Sequence, residues 1–147
     1  MKKLLFTLFG ICCGAMLFAA ATTTPEGWTD DYDAAFKTAR EKSRPVLMLF
    51  TGSDWCPACI KLKREVLSTP EFKKFAAENF VLLYVDFPAH TKLPAELEKR
   101  NRQLLEKTEF EGFPTTFILA PDGKEIGHIV GCYPEYLEQL RKFVKSK

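Results

Sequence analysis

The stretch GSDWCPACIKLK, Gly52 to Lys63, places Cys56 and Cys59 three residues apart, between an apolar run and a charged one. The preceding segment VLMLF, Val46 to Phe50, is short, continuous and apolar, which reads as a buried strand. Pro57 suits the first turn of a helix because it has no N–H to leave unpaired there. A helix starting at Cys56 brings Cys59 onto the same face, within reach of the first sulfur and deeper in the structure. Negative charge is favoured at a helix N-terminus by unpaired N–H groups and the macrodipole. Cys56 is therefore the candidate nucleophile and Cys59 the candidate resolving thiol. Three chemistries compete for the pair: a redox couple, half of a metal site, or an inert staple. A zinc site needs a second ligand pair, and the rest of the chain beyond its leader offers only His90, His128 and Cys132, scattered. A structural disulfide at this spacing closes a very small loop and gains little entropy.

The chain has 147 residues, 46% hydrophobic and 27% charged, the composition of one globular domain with a sizeable core. Its first residues read as a secretory signal: Lys2 and Lys3, an apolar stretch from Leu4 to Phe18, then Ala19 and Ala21 in an A-x-A arrangement. The expected division is a signal peptide over 1–21 and a single domain over 22–147, exported to the periplasm. The competing reading is an uncleaved membrane anchor, since Leu4 to Ala21 lies at the short edge of a bilayer span. Cys12 and Cys13 are passengers in this leader. Cleavage removes two of the 21 basic residues and none of the 19 acidic ones, so the mature chain is formally neutral. That argues against a nucleic-acid partner, which calls for a basic excess. Cys56, Cys59 and Cys132 remain, and in an oxidising compartment two close thiols pair and one is left over.

Outward from the motif, TDDYDAAFKTAREKS has Tyr32, Ala35, Phe36 and Ala39 at helical spacing behind a Thr29/Asp30 cap signal, and Pro45 ends that helix. The motif helix runs to about Leu67, and Thr69-Pro70 restarts a helix to about Glu78. Phe80 to Phe87 reads as a second buried strand. A polar helix follows from about Pro94, with Leu97, Leu104 and Leu105 on its apolar side. TTFILA, the turn PDGK and EIGHIVG form a hairpin. Pro134 opens a last helix with the stripe Leu137, Leu140, Phe143 and Val144. This order predicts an α/β domain, a central mixed sheet with helices on both faces.

Trp55-Cys-x-x-Cys directly after a buried strand, a strand ending VDF, and Gly112-Phe113-Pro114-Thr115 leading into a hairpin and a terminal helix together resemble the thioredoxin superfamily, over about Asp31 to Val144. FTGSDWCPAC is most similar to exported bacterial thioredoxin-like proteins and to the periplasmic thioredoxin-like domain of the transmembrane disulfide reductase. The resemblance implies the thioredoxin fold, a dithiol/disulfide oxidoreductase with Cys56 and Cys59 as its redox couple, protein thiols and disulfides as substrates, a membrane disulfide reductase as electron donor, and no cofactor or metal. It implies a cis bond at Pro114, which sets the Phe113 backbone beside the sulfurs to pair with an extended substrate segment. Trp55 and Phe113 then supply apolar contact surface, and Pro57 and Ala58 tune the couple. In the family a glycine at the end of the hairpin, here Gly131, starts a loop near the motif, which would bring Cys132 to the rim of the substrate surface; the plainer reading tucks Cys132 beneath the last helix. The sequence also departs from the pattern. The buried aspartate that thioredoxins carry on the strand before the motif is replaced here by Leu49 or Phe50, and the connection from Phe87 to Pro94 is long. The first departure supports an alternative, a binding module with a permanently oxidised disulfide.

Overall fold

Strand β1, Val46–Thr51, is buried along its whole length and lies at the centre of the sheet. The computed structural model describes residues 24–145, so the leader expected over 1–21 lies outside the described residues. Around β1 the order is β2-β1-β3-β4, with β2 (Val81–Asp86) parallel to it and β3 (Thr115–Leu119) antiparallel. β4 (Glu125–Val130) returns antiparallel to β3 through a turn in which Gly123 takes φ 92°. That left-handed conformation suits glycine.

The period of two along β1 divides the core. Leu47 and Leu49 face one side, with Leu62, Phe72, Phe75, Ile118, Tyr136 and Leu140. Val46, Met48 and Phe50 face the other, with Phe36, Val85 and Phe117. The first layer belongs to α2 (Pro57–Leu62), α3 (Pro70–Asn79) and α5 (Tyr136–Lys145). The second belongs to α1 (Tyr32–Lys42) and α4 (Ala95–Glu106), whose Leu104 packs on it. The mixed sheet with helices on both faces is the architecture expected from the element order.

Helix boundaries follow local chemistry. Asp31, rather than Thr29 or Asp30, caps α1, its carboxylate accepting from Ala34 N. Thr29 is diverted into a bridge beside β2, its N–H donating to Leu82 O and its carbonyl accepting from Tyr84 N. Trp28 packs against Phe72 and Tyr84 as a core ring. Thr69 caps α3 by accepting from Phe72 N, with Pro70 in the first turn. The motif helix does reach Leu67, but its last turn, Lys63–Leu67, is wound as a π-helix, with Ser68 N bonded to Lys63 O.

Candidate functional site

Cys56 occupies the N-cap position of α2 with extended backbone (φ −84°, ψ 112°). Its N–H donates to Gly52 O, and its sulfur accepts from Cys59 N at 3.2 Å. The two cysteines form a disulfide, with Cα atoms 5.2 Å apart. Both cysteines are buried, and the Cys59 sulfur accepts from Gly52 N at 3.4 Å. Pro57 is exposed and Ala58 half-buried beside the sulfurs.

Across from the helix, the Phe113–Pro114 peptide bond is cis, and the Phe113 carbonyl oxygen lies 3.8 Å from Cys56 Sγ. Pro114 is buried, and its carbonyl accepts from Gly131 N at 2.7 Å. Sequence-distant segments thus meet at one disulfide: the β1–α2 turn, the approach to β3, and the end of β4. Trp55 is 43% exposed, donates from Nε1 to Phe87 O at 2.7 Å and meets Phe113 edge-on, 5.6 Å between centroids. Phe113 also packs on Phe87 and Phe110, and both of those rings pack on Phe50. Phe50 is fully buried, so the strand before the motif meets the site with an aromatic stack and no carboxylate.

A buried carboxylate exists one strand over. Asp86, 3% exposed at the end of β2, pairs in register with Thr51 and accepts from both the N–H and the hydroxyl of Ser53. Its own carbonyl accepts from the buried Asn101 side chain. Nearby Tyr84 has its hydroxyl pKa pushed up, mainly by burial and then by the Asp86 charge. In the sequence Asp86 reads only as the end of a strand, and its one signal is an acidic residue inside an otherwise apolar run.

Asp54 lies in the turn before Trp55. Its carboxylate accepts from three successive backbone N–H groups, Ala89 (2.8 Å), His90 (2.9 Å) and Thr91 (2.9 Å). Against desolvation, which opposes ionisation, those bonds hold its carboxyl below the usual range.

Cys132 is half-buried and packs against the core layer of α2, α3 and α5. Its thiol pKa is raised by desolvation, with Lys61 lowering it and Glu65 raising it. Those charges lie on the later turns of the motif helix. His128 stands on β4 between Glu125 and Glu111, and His90 is exposed on the loop after β2. Among the described residues no group of three or more His, Cys, Asp or Glu side chains is arranged to hold a metal ion. No helix among them is long and apolar enough to cross a membrane.

A family model described as a thioredoxin-like domain matches residues 32–145. The chain is 32% identical over 121 residues to the Disulfide bond reductase DsbH of Chlamydia pneumoniae, covering 80% of this chain and 73% of that one. It is 35% identical over 104 residues to the Thiol:disulfide interchange protein DsbD of Cronobacter sakazakii, covering 69% of this chain but 16% of that much longer one. Among solved structures, a DsbH oxidoreductase matches with a TM-score of 0.72 at 27% identity, over 86% of this chain and 93% of that one. A thioredoxin from Thermus thermophilus matches with a TM-score of 0.60 at 26% identity, over 78% and 84%. With its disulfide at the head of α2 facing a cis-proline, this chain belongs to the thioredoxin-like family and is homologous to Dsb-type disulfide oxidoreductases.

Proposed function

We propose that the chain is a thiol-disulfide oxidoreductase that exchanges electrons with protein thiols and disulfides through Cys56 and Cys59. The observation that carries this reading is the Cys56–Cys59 disulfide at a helix N-cap, with Cys56 Sγ beside the Phe113 carbonyl. In the reducing direction, the Cys56 thiolate attacks a substrate disulfide. The substrate S–S bond breaks, a mixed disulfide forms at Cys56, and the first substrate thiolate leaves and takes up a proton. Cys59 then loses its proton and attacks Cys56 Sγ, forming the intramolecular disulfide and releasing the second substrate thiol. Two electrons and two protons pass to the substrate, and a dithiol donor, for which a membrane disulfide reductase is the candidate, restores the chain. The Cys59 N–H bond to Cys56 Sγ supports a negative charge on that sulfur, which suits it to attack first.

Trp55 and Phe113 form apolar contact surface around the couple, with Pro57, Ala58 and the Pro114 segment completing the face that substrate meets. The likeness to a protein named as a disulfide bond reductase supports the reducing direction. The charge pattern of residues 1–21 supports export to the periplasm by a cleaved leader; N-terminal sequencing of the protein from cells distinguishes that from an anchored form.

Phe50 in place of a buried carboxylate favours a second reading, a binding module whose disulfide stays permanently oxidised. The reduction potential separates the two, because structural disulfides of exported proteins typically lie below about −300 mV. A potential above that value with catalysed reduction of insulin by dithiothreitol supports the oxidoreductase. A lower one with no turnover supports the module.

A further inference from the structure

The connection from β2 to α4, residues 87–94, carries no helix or strand, yet it is fastened to the active-site turn at two points. Trp55 Nε1 holds its first carbonyl, Phe87 O. Asp54 holds the next corner through Ala89, His90 and Thr91 N–H. Three successive amides converge on one carboxylate, and such charge-assisted bonds are the strong ones. Phe87 adds a third fastening by packing its ring 5.4 Å from that of Phe113, the residue before the cis-proline. Both neighbours of the disulfide in the substrate face, Trp55 and Phe113, therefore touch this loop. Beside it, a cleft of about 220 Å³ opens between the loop and α4, lined by Phe87, Leu93 and Leu105 together with Lys92, Glu98 and Arg102.

We infer that Asp54 is a positioning residue that fixes the 87–94 loop as one wall of the substrate groove, and that this wall contacts folded protein substrates beyond the reacting disulfide. The inference rests on the oxidoreductase reading above. Asp54 belongs to the same turn as the motif, so the carboxylate sets the wall's distance from Cys56 directly. Its role is separable from the chemistry, because its oxygens are taken up by the loop amides and not by either sulfur. A disulfide carried by a small molecule reaches Cys56 without meeting the wall. A disulfide in a protein brings flanking chain with it, and a preformed wall lowers the ordering cost of that contact.

The test compares wild type with Asp54→Ala and Asp54→Asn on two substrates, insulin and 2-hydroxyethyl disulfide, with dithiothreitol as reductant. Hydrogen exchange at the 89–91 amides reports the state of the loop. The expected result is faster exchange and a KM for insulin raised by about fivefold to tenfold in Asp54→Ala, as ordering cost returns to the binding step. The kcat for insulin and the rate with 2-hydroxyethyl disulfide stay close to wild type, and Asp54→Asn, which keeps one acceptor oxygen, falls between. Parallel losses on both substrates would show that Asp54 acts through the thiols and would overturn the assignment. So would an unchanged insulin KM, whatever the exchange rates. A wild-type chain inert toward both disulfides strikes instead at the oxidoreductase reading, and the wall falls with it.

Discussion

Gly52 and Trp55 occupy each other's space: a Cβ placed on Gly52 would lie 2.5 Å from Trp55 Cε2 and 2.6 Å from its Nε1. Gly52 needs no left-handed backbone, so the requirement is one of room alone. Gly52→Ala forces the indole outward, which loses the bond to Phe87 O and the edge contact with Phe113. The expected cost is about 1–3 kcal/mol by urea unfolding, the usual range for overpacking. Trp55→Ala in the same background should relieve most of it, a non-additivity that a double-mutant cycle reads directly. Additive costs would show that the clash is not the cause.

The order of thiols in the proposed mechanism is checked by trapping. Cys59→Ser leaves Cys56 able to attack but removes the group that resolves the intermediate, so mixed disulfides with partner proteins should accumulate on non-reducing gels. Cys56→Ser should accumulate none. Equal accumulation by both variants removes the assignment of Cys56 as the attacking sulfur.

Histidine 128 gives the stability a pH dependence of known sign. The hydrogen bond that its ring Nδ1–H donates to the Glu125 carboxylate raises its pKa, against desolvation, with the Glu125 and Glu111 charges adding to the rise. A folded-state pKa above the unfolded value of about 6.5 means that the stabilisation is fully present below that pH and is lost as pH climbs through the raised value. Urea midpoints of wild type and His128→Gln should therefore differ more at about pH 5.5 than at about pH 8.5. A difference that is constant with pH would rule out titration of this side chain as the source. Glu111 stands two residues before Phe113, so insulin turnover measured over the same range shows whether the pairing also reaches the proposed substrate face.

Cys132 is predicted to react slowly. Its half-buried position should let one thiol of the oxidised protein be alkylated without denaturant, and because desolvation raises its pKa the rate should reach half of its maximum at a pH above the value of about 8.5 at which an ordinary cysteine does. Labelling at the rate and pH of free cysteine would place the sulfur in open water, contrary to its packing against the core.

The sequence carried the fold through patterns that repeat within a few residues. The run Val46 to Phe50 could be little other than a buried strand, and Pro45, Pro57 and Pro70 mark the ends and starts of helices with bonding rules of their own. Asp54 and Asp86 were harder, because what they do depends on partners 33 to 37 residues away. A loop aspartate and a strand-ending aspartate look alike until the chain is folded. Tyr136 escaped the apolar stripe read for α5 for a related reason: its hydroxyl counts against burial in a sequence, but in the fold it sits fully buried, 2.6 Å from Thr116 Oγ1. The π turn at Lys63–Leu67 was equally silent, since winding of that kind answers to the packing around a helix and not to its composition.

Thr29 also governs how the sheet meets other chains. By taking Leu82 O and Tyr84 N, it fills part of the hydrogen-bonding ladder that the outer side of β2 presents, so a foreign strand adding there must first displace the segment around Thr29. β4 bounds the other side of the sheet, and its outward residues include the charged Glu125 and, below its raised pKa, a protonated His128. A strand approaching that side meets charge, a common defence against edge-to-edge aggregation. One border of the sheet is guarded by a covering segment and the other by ionisable side chains, so acidity alters the second guard and leaves the first in place.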